Sequence, residues 1–257
     1  MKKLLIIFFT IGVLIFTGWF VGTRYLYSVP ILVYHHVDGA VATDSPTVST
    51  AGFSKQMELI HQRGYNVITL DSLVNAAQNK TRLARNSVVI TFDDGDKDNY
   101  LNAYPVLKKY NFPATIFIIT QKVGQNDYIS WEEMSEMMKN NISFGAHSRS
   151  HFYLPDLNEE GLQYEILGSK KDMEEKLKTE VKYFCYPIGG FSDRIMRVVQ
   201  EAGYKGAFTT NRGKGRLNEN LYALKRVKIG NTDTNPLRMW GKLSGFFNLF
   251  RSEKEPY

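Results

Sequence analysis

Two carboxylates stand side by side where an apolar run ends, in Val88-Val89-Ile90-Thr91-Phe92-Asp93-Asp94-Gly95. Adjacent carboxylates repel unless a cation or a shared proton relieves them. Asp-Gly is also a hairpin turn, but a hairpin requires a second strand at once. Lys97 to Tyr104 is instead polar and irregular, and Pro105 then opens a helical pattern over Val106 to Tyr110. The pair therefore reads as the C-terminal end of a buried strand, where parallel barrels place catalytic groups. A second cluster, His147-Ser148-Arg149-Ser150-His151, also follows a strand-like run, Ile142 to Ala146. The spacing predicts both histidines on one face of a helical turn, offering two imidazoles to one metal. Ser148 stands where a zincin helix carries Glu, so this is not H-E-x-x-H. Two histidines with one carboxylate form a ligand set for catalytic zinc and similar ions, with positions left open for water and substrate. A third feature is Val33-Tyr34-His35-His36-Val37, on which the two histidines point to opposite faces. Only one can face a barrel mouth, and this strand is the best source of a proton donor beyond the metal ligands.

These groups need a scaffold that brings strand ends together. Strand-like runs cover Ile31 to Val37, Asn66 to Thr69, Ser87 to Phe92, Ala114 to Ile119, Ile142 to Ala146, Lys182 to Tyr186, Ala207 to Thr210 and Tyr222 to Lys228. Helical patterns lie at Phe53 to Arg63, Trp131 to Asn140, Glu159 to Lys178 and Asp193 to Ala202, with Gly64, Gly203 and Gly206 at positions suited to a positive φ. Alternating strands and helices predict an α/β fold, a distorted (β/α) barrel of seven or eight mostly parallel strands in one domain. Asn235 to Phe250 is apolar and helical in pattern and is expected to pack on the barrel; the other reading lays it on a membrane surface. His61 sits in an amphipathic helix and reads as surface or packing, and the single Cys185 as a small buried hydrophobe.

The chain has 257 residues with 32 Lys and Arg against 26 Asp and Glu, a net charge of +6 of which Lys2 and Lys3 supply two. No basic stripe suggests nucleic acid. One cysteine makes no intramolecular disulfide, so the domain must be stable through its core. Lys2 and Lys3 precede an uncharged apolar run from Leu4 to Val21, close to the about 18 residues that can span a bilayer. No small-x-small cleavage site follows it. Residues 1–26 are thus expected to form a transmembrane anchor and residues 27–257 a domain outside the cell membrane. If the segment is cleaved, the domain is secreted. A single span without internal charges offers no transport pathway.

The motifs together resemble the polysaccharide deacetylases of carbohydrate esterase family 4, the NodB-homology domain, over nearly the whole chain after the anchor. Thr91-Phe92-Asp93-Asp94-Gly95 is similar to the family's first motif, which implies Asp93 as general base and Asp94 as metal ligand. His147 and His151 match the second motif and would complete the metal site. Phe184-Cys185-Tyr186-Pro187-Ile188-Gly189-Gly190 is similar to the third, which walls the substrate groove; the resemblance implies Tyr186 and Pro187 as substrate-binding, with the backbone N–H of Tyr186 on the oxyanion. Many members carry Arg where Cys185 stands, and a late histidine that is missing here. Both departures resemble a circularly permuted branch that includes deacetylases of poly-N-acetylglucosamine. That branch implies His35, within Tyr34-His35, as general acid, and Arg226 as the replacement for the missing arginine, which in the family pairs with the base Asp; Arg226 is counted with Tyr186 and Pro187 among the substrate-binding residues. The implied activity is metal-dependent removal of N-acetyl groups from an extracytoplasmic N-acetylglucosamine-type polysaccharide, with release of acetate. Zinc is the first choice of ion, then cobalt, nickel or manganese. The alternatives are an O-acetyl esterase acting on xylan-type glycans and an inactive glycan-binding module. Tyr34, Trp131, Tyr186 and Phe191 are candidate sugar-stacking surfaces, and a monomer is expected.

Overall fold

The computed structural model describes residues 8–13, 16–18, 22, 26–39, 47–211 and 220–251. Most of the expected anchor lies outside these residues. Among the described residues, no helix is long and apolar enough to cross a membrane.

Among the described residues nine strands run in parallel: β1 (Ile31–Tyr34), β2 (Asn66–Val67), β3 (Ser87–Phe92), β4 (Ala114–Ile118), β5 (Ile142–Ala146), β6 (Tyr183–Cys185), β7 (Gly206–Thr209), β8 (Leu224–Lys225) and β9 (Val227–Lys228). The sheet order is β8-β7-β6-β5-β4-β3-β1-β9, with β2 paired to β3 at its side. The last two strands are consecutive in sequence and bracket Arg226. Leu224–Lys225 pairs with β7, whereas Val227–Lys228 pairs with β1, so one short stretch joins the two edges into a nearly closed barrel. Closure leaves no long exposed edge.

Side-chain alternation divides the core in two. Leu32, Ile90, Phe92, Ile116, Phe184 and Val227 point outward and pack beneath the helices. Ile31, Val89, Phe117, Tyr183, Phe208 and Leu224 point inward. Helix α1 (Thr50–Gln62) lies on the outside, but α2 (Leu70–Gln78) inserts Leu70, Leu73 and Val74 into the inner cluster and so plugs the barrel base. Its spacing of Leu70, Leu73 and Val74 is helical, yet the short segment was not among the expected helices. The others are α3 (Tyr104–Tyr110), α4 (Trp131–Met138), α5 (Glu159–Leu177), α6 (Asp193–Glu201) and α7 (Pro236–Leu243). Pro105 takes its expected place in the first turn of α3, but the segment before it is a π-helical turn, Asn99–Ala103, not irregular chain. Helix α7 buries Met239 and Leu243 against the barrel, as expected of packing. Gly64 and Gly203 have positive φ; Gly206 does not, and opens β7 where an added Cβ would stand 3.1 Å from the Leu221 carbonyl oxygen.

Candidate active site

The inward parity of β3, Val89–Thr91–Asp93, carries Asp93 to the mouth end of the barrel interior. It is 1% exposed. The same parity brings Arg226 in from between β8 and β9, and the two meet as a bidentate pair: Nη1 to Oδ1 and Nη2 to Oδ2, each 2.6 Å. The guanidinium also donates to Thr91 Oγ1 at 3.2 Å and Cys185 Sγ at 3.0 Å and lies over the Phe117 ring, 5.4 Å from its centre. Burial alone pushes the Asp93 carboxyl up. The Arg226 charge and hydrogen bonds, with the nearby His147 and His35, outweigh it and hold the group well below the usual carboxylate range. Cys185 is fully buried beside this pair, and burial pushes its thiol up, as suits the inert hydrophobe expected from its context.

Asp94 leaves the strand in the left-handed region, φ 71°, which turns its carboxylate across the mouth. Its Oδ1 stands 3.5 Å from His147 Nε2 and 3.4 Å from His151 Nε2. Donors about 2.0–2.1 Å from one tetrahedral ion are separated by roughly 3.4 Å, so the three atoms fit a single divalent cation. Donor chemistry agrees. His147 Nδ1 is 2.8 Å from the Cys185 carbonyl oxygen, which can only accept, so Nδ1 carries the proton and Nε2 keeps its lone pair. His151 is lowered to about 4 by burial and by His147, so its ring is neutral at neutral pH and ready to ligate. Asp93, His147 and Cys185 also cluster, but Asp93 has both oxygens on Arg226 and Cys185 is a protonated thiol beside a cation, which makes a poor metal set.

The two histidines do not share a helical turn, contrary to expectation. They lie on a loop in which Ser148 (φ 63°) and His151 (φ 67°) are left-handed. Such φ values are uncommon outside glycine and need outside support. Glu165 of α5 supplies it: the buried carboxylate accepts from the Arg149 and Ser150 backbone N–H groups, each 2.9 Å, and from Ser150 Oγ at 2.5 Å. Arg149 then pairs with Asp172 on the same helix, through Nε at 2.7 Å and Nη2 at 2.6 Å. Gly168 leaves room for that side chain, since a Cβ would stand 2.6 Å from its Cζ. Glu165→Gln puts an amide NH₂ against donors. It is expected to lower divalent-ion affinity about 10- to 100-fold, measured by chelator competition, with the circular dichroism spectrum unchanged. Glu165 was missed from sequence, although a carboxylate on the buried stripe Leu162, Ile166 and Met173 was a readable signal.

Beyond β1, His35 is the histidine that turns inward. Burial lowers its pKa, opposed by Asp93 and Asp94, and its Nδ1 is buried with no partner among the described residues. His36 turns outward, with Nδ1 3.0 Å from Asp98 Oδ2 and 3.3 Å from Asp96 Oδ2. Asn99 Nδ2 links this pair back to the site, reaching Asp98 Oδ1 at 2.7 Å and the His35 carbonyl at 2.8 Å. The hydrogen bond to Asp98 raises His36 to about 9. A raised histidine stabilises the fold fully below its unfolded value of about 6.5 and loses that contribution as pH climbs through 9. His36→Gln is therefore expected to flatten the fall in thermal midpoint between pH 6.5 and 9.

The third motif is placed differently from expectation. Tyr186 is fully buried on the outer face, stacked on Phe191 at 5.2 Å, with its hydroxyl donating to the Tyr222 carbonyl. Its N–H is spent in the sheet, donated to the Phe208 carbonyl at 3.0 Å, so it cannot serve an oxyanion. Pro187 is buried too, and Arg226, buried and paired with both oxygens of Asp93, is placed to position that carboxylate. Of the stacking candidates, Tyr34 is core, bonded to Gln56, while Trp131 and Phe191 pack partly buried on the core. Phe152, which was not foreseen, and Ile188, within the motif expected to wall the groove, are large apolar side chains exposed in the segments that carry the site, at 62% and 52%. Ile188 is left-handed, φ 58°, a strained state for a β-branched residue. In its turn, Gly189 and Gly190 donate to the Tyr186 and Pro187 carbonyls and proline has no N–H. The Ile188 N–H is left with no backbone acceptor among the described residues.

A buried, arginine-clamped carboxylate beside a two-histidine, one-carboxylate cluster suits hydrolysis at a polarised carbonyl. Comparison with known proteins points the same way. The polysaccharide deacetylase family model matches residues 80–207. Bacillus subtilis (strain 168) YxkH, which carries a polysaccharide deacetylase designation, is 32% identical over 213 residues, 83% of this chain and 75% of its own. The poly-beta-1,6-N-acetyl-D-glucosamine N-deacetylase of Staphylococcus aureus (strain MRSA252) is 32% identical over 197 residues, 71% of this chain and 68% of its own. The Streptococcus pyogenes deacetylase PplD, solved with acetate, superposes with a TM-score of 0.78 at 26% identity, covering 84% of this chain and 97% of that one. With these motifs set in a nearly closed parallel barrel, the chain belongs to the polysaccharide deacetylases of carbohydrate esterase family 4, the NodB-homology group.

Proposed function

We propose that this deacetylase is a metal-dependent hydrolase that removes N-acetyl groups from an N-acetylglucosamine-type polymer outside the cell membrane. The observation that carries the reading is the Asp93–Arg226 pair set beside Asp94, His147 and His151 at the barrel mouth. The Staphylococcus aureus relative, named for N-deacetylation of such a polymer, supports the substrate class. The apolar run from Leu4 to Val21 behind Lys2 and Lys3 supports export with an anchor.

Asp94, His147 and His151 would hold the cation, with zinc the first choice for this donor set. When bound, such an ion polarises the acetyl carbonyl and lowers the pKa of a water molecule towards neutrality. Asp93, kept ionised by Arg226, takes the proton from the attacking water. The Ile188 N–H is the donor assigned to the oxyanion, in place of Tyr186. His35 holds the proton for the departing nitrogen, because an amide nitrogen leaves poorly as an anion. Its unpartnered Nδ1 marks a buried polar group that a substrate contact can satisfy.

The test is acetate release by the full chain in detergent from N-acetylglucosamine oligomers, peptidoglycan and acetylated xylan, with zinc and with chelator. Chelator-sensitive release from an N-acetylated glycan supports the proposal. Release only from xylan moves the reaction to ester hydrolysis. No release from any substrate, with metal bound, would sink the enzymatic reading in favour of a glycan-binding module.

A further inference from the structure

Among the described residues, the two poles of the barrel differ in charge. Segments that lead from strands into helices form the mouth and carry Asp38, Asp94, Asp96, Asp98, Asp127 and Asp156. Of the cations there, Lys97 and Arg149 are committed to Glu133 and Asp172, which leaves Lys122, on the Tyr128 hydroxyl, and Lys228 against six carboxylates. Segments that lead from helices back into strands form the base. They carry Arg63, Lys80, Arg82, Arg85, Lys139 and Lys178, all exposed and none in an ion pair among the described residues. Lys182 and Lys205 pair with the acids of that pole, Asp71 and Glu180. Basic residues at helix C-termini complement the helix dipole, but Arg82 and Arg85 lie beyond any helix end, in the stretch between α2 and β3.

The same pole receives the chain from its N-terminal segment. Residues 27–30 lead straight into β1, and four residues span at most about 14 Å. They are fastened to the base: the Ser28 N–H donates to the Gly245 carbonyl at 3.0 Å, the Tyr27 ring meets Phe246 edge-on at 5.8 Å, and the Tyr27 hydroxyl bonds the Arg85 carbonyl. A segment held in the membrane just before Tyr27 would bring the basic pole against the lipid headgroups, where clustered Lys and Arg are attracted to anionic lipid.

We propose that the base of the barrel docks on an anionic bilayer surface, so that the catalytic mouth points away from the membrane. This inference rests on the anchored, extracytoplasmic reading above. It assigns the enzyme a polymer lying beyond the headgroups, rather than a lipid-linked sugar within the same bilayer.

Cys185 is the single native cysteine and is buried, so a new surface cysteine is the reactive one. The full chain carrying Thr179→Cys at the base or Asp127→Cys at the mouth is labelled with a fluorophore and reconstituted into vesicles. These are phosphatidylcholine alone or mixed with phosphatidylglycerol, each with a headgroup quencher. Quenching is expected at position 179 and not at 127. It should be stronger in the anionic vesicles, and weakened by about 0.5 M salt and by Arg82→Glu with Arg85→Glu, circular dichroism showing the fold retained. Quenching at 127, equal quenching at both positions, or indifference to lipid charge overturns the proposal. Flotation with pure phosphatidylcholine vesicles in high salt tests the anchor separately. A chain that fails to float there, yet is quenched at 179 on anionic vesicles, loses the anchor and keeps the surface. One that floats without quenching at 179 does the reverse.

Discussion

Asp93→Asn is expected to cut acetate release by about 10²- to 10⁴-fold, the span that a positioned general base contributes. The amide has nearly the same shape as the carboxylate but cannot take a proton from water at neutral pH. Metal binding should survive, because Asp94, His147 and His151 meet one another independently of Asp93. The substitution should also weaken the fold. Arg226 has no exposed side-chain surface, and Asp93 is its only carboxylate partner among the described residues. Removing that charge leaves a buried guanidinium uncompensated, a loss of about 3–5 kcal/mol. Activity, metal affinity and denaturant midpoint should therefore separate: the first collapses, the second holds, the third falls. A variant that keeps more than about a tenth of wild-type activity would remove Asp93 from the role of base.

The scaffold was readable wherever local signals were strong. Ser87–Phe92 and Ile142–Ala146 have the expected ends because each apolar run stops at a sharp polar or glycine signal. Helix α2 escaped because it has nine residues and follows a two-residue strand, too little for a period to stand out. The spacing of His147 and His151 was right about proximity and wrong about its cause. A helical turn and a loop with two left-handed residues both bring positions four apart together, and only tertiary support from Glu165 decides between them. Tyr186 failed on parity: one residue past the inward Cys185 it faces outward, with its N–H already in the sheet. Arg226 lies 133 positions from Asp93. No local pattern could join them, and only the family resemblance pointed to a late arginine in place of the one missing at position 185.

That substitution of one arginine for another gives the second large effect. Arg226→Met leaves Asp93 buried without its cation, at a cost of about 3–5 kcal/mol near neutral pH. In the wild type, Asp93 is held below its unfolded value of about 3.9, so its contribution is present above that pH and disappears as pH falls towards the folded value. Without Arg226, burial dominates and the carboxyl is raised instead. The folded state then holds a proton that the unfolded state has released, so stability must fall as pH rises above about 4, the opposite slope. Urea midpoints at pH 5 and 8 distinguish the two, and the acid limb of the pH–rate profile should move upward as the base is protonated at higher pH. A second variant separates charge from packing. Cys185 Sγ lies 3.0 Å from Arg226 Nη2 and 3.7 Å from Asp93 Oδ1, so an arginine at 185 can enter the same space. Cys185→Arg combined with Arg226→Ala is expected to recover activity and the wild-type slope, whereas Arg226→Ala alone is not. If the double variant stays as impaired as the single one, position 226 matters for closing the last strand onto β7 and β1, and not for the charge it delivers.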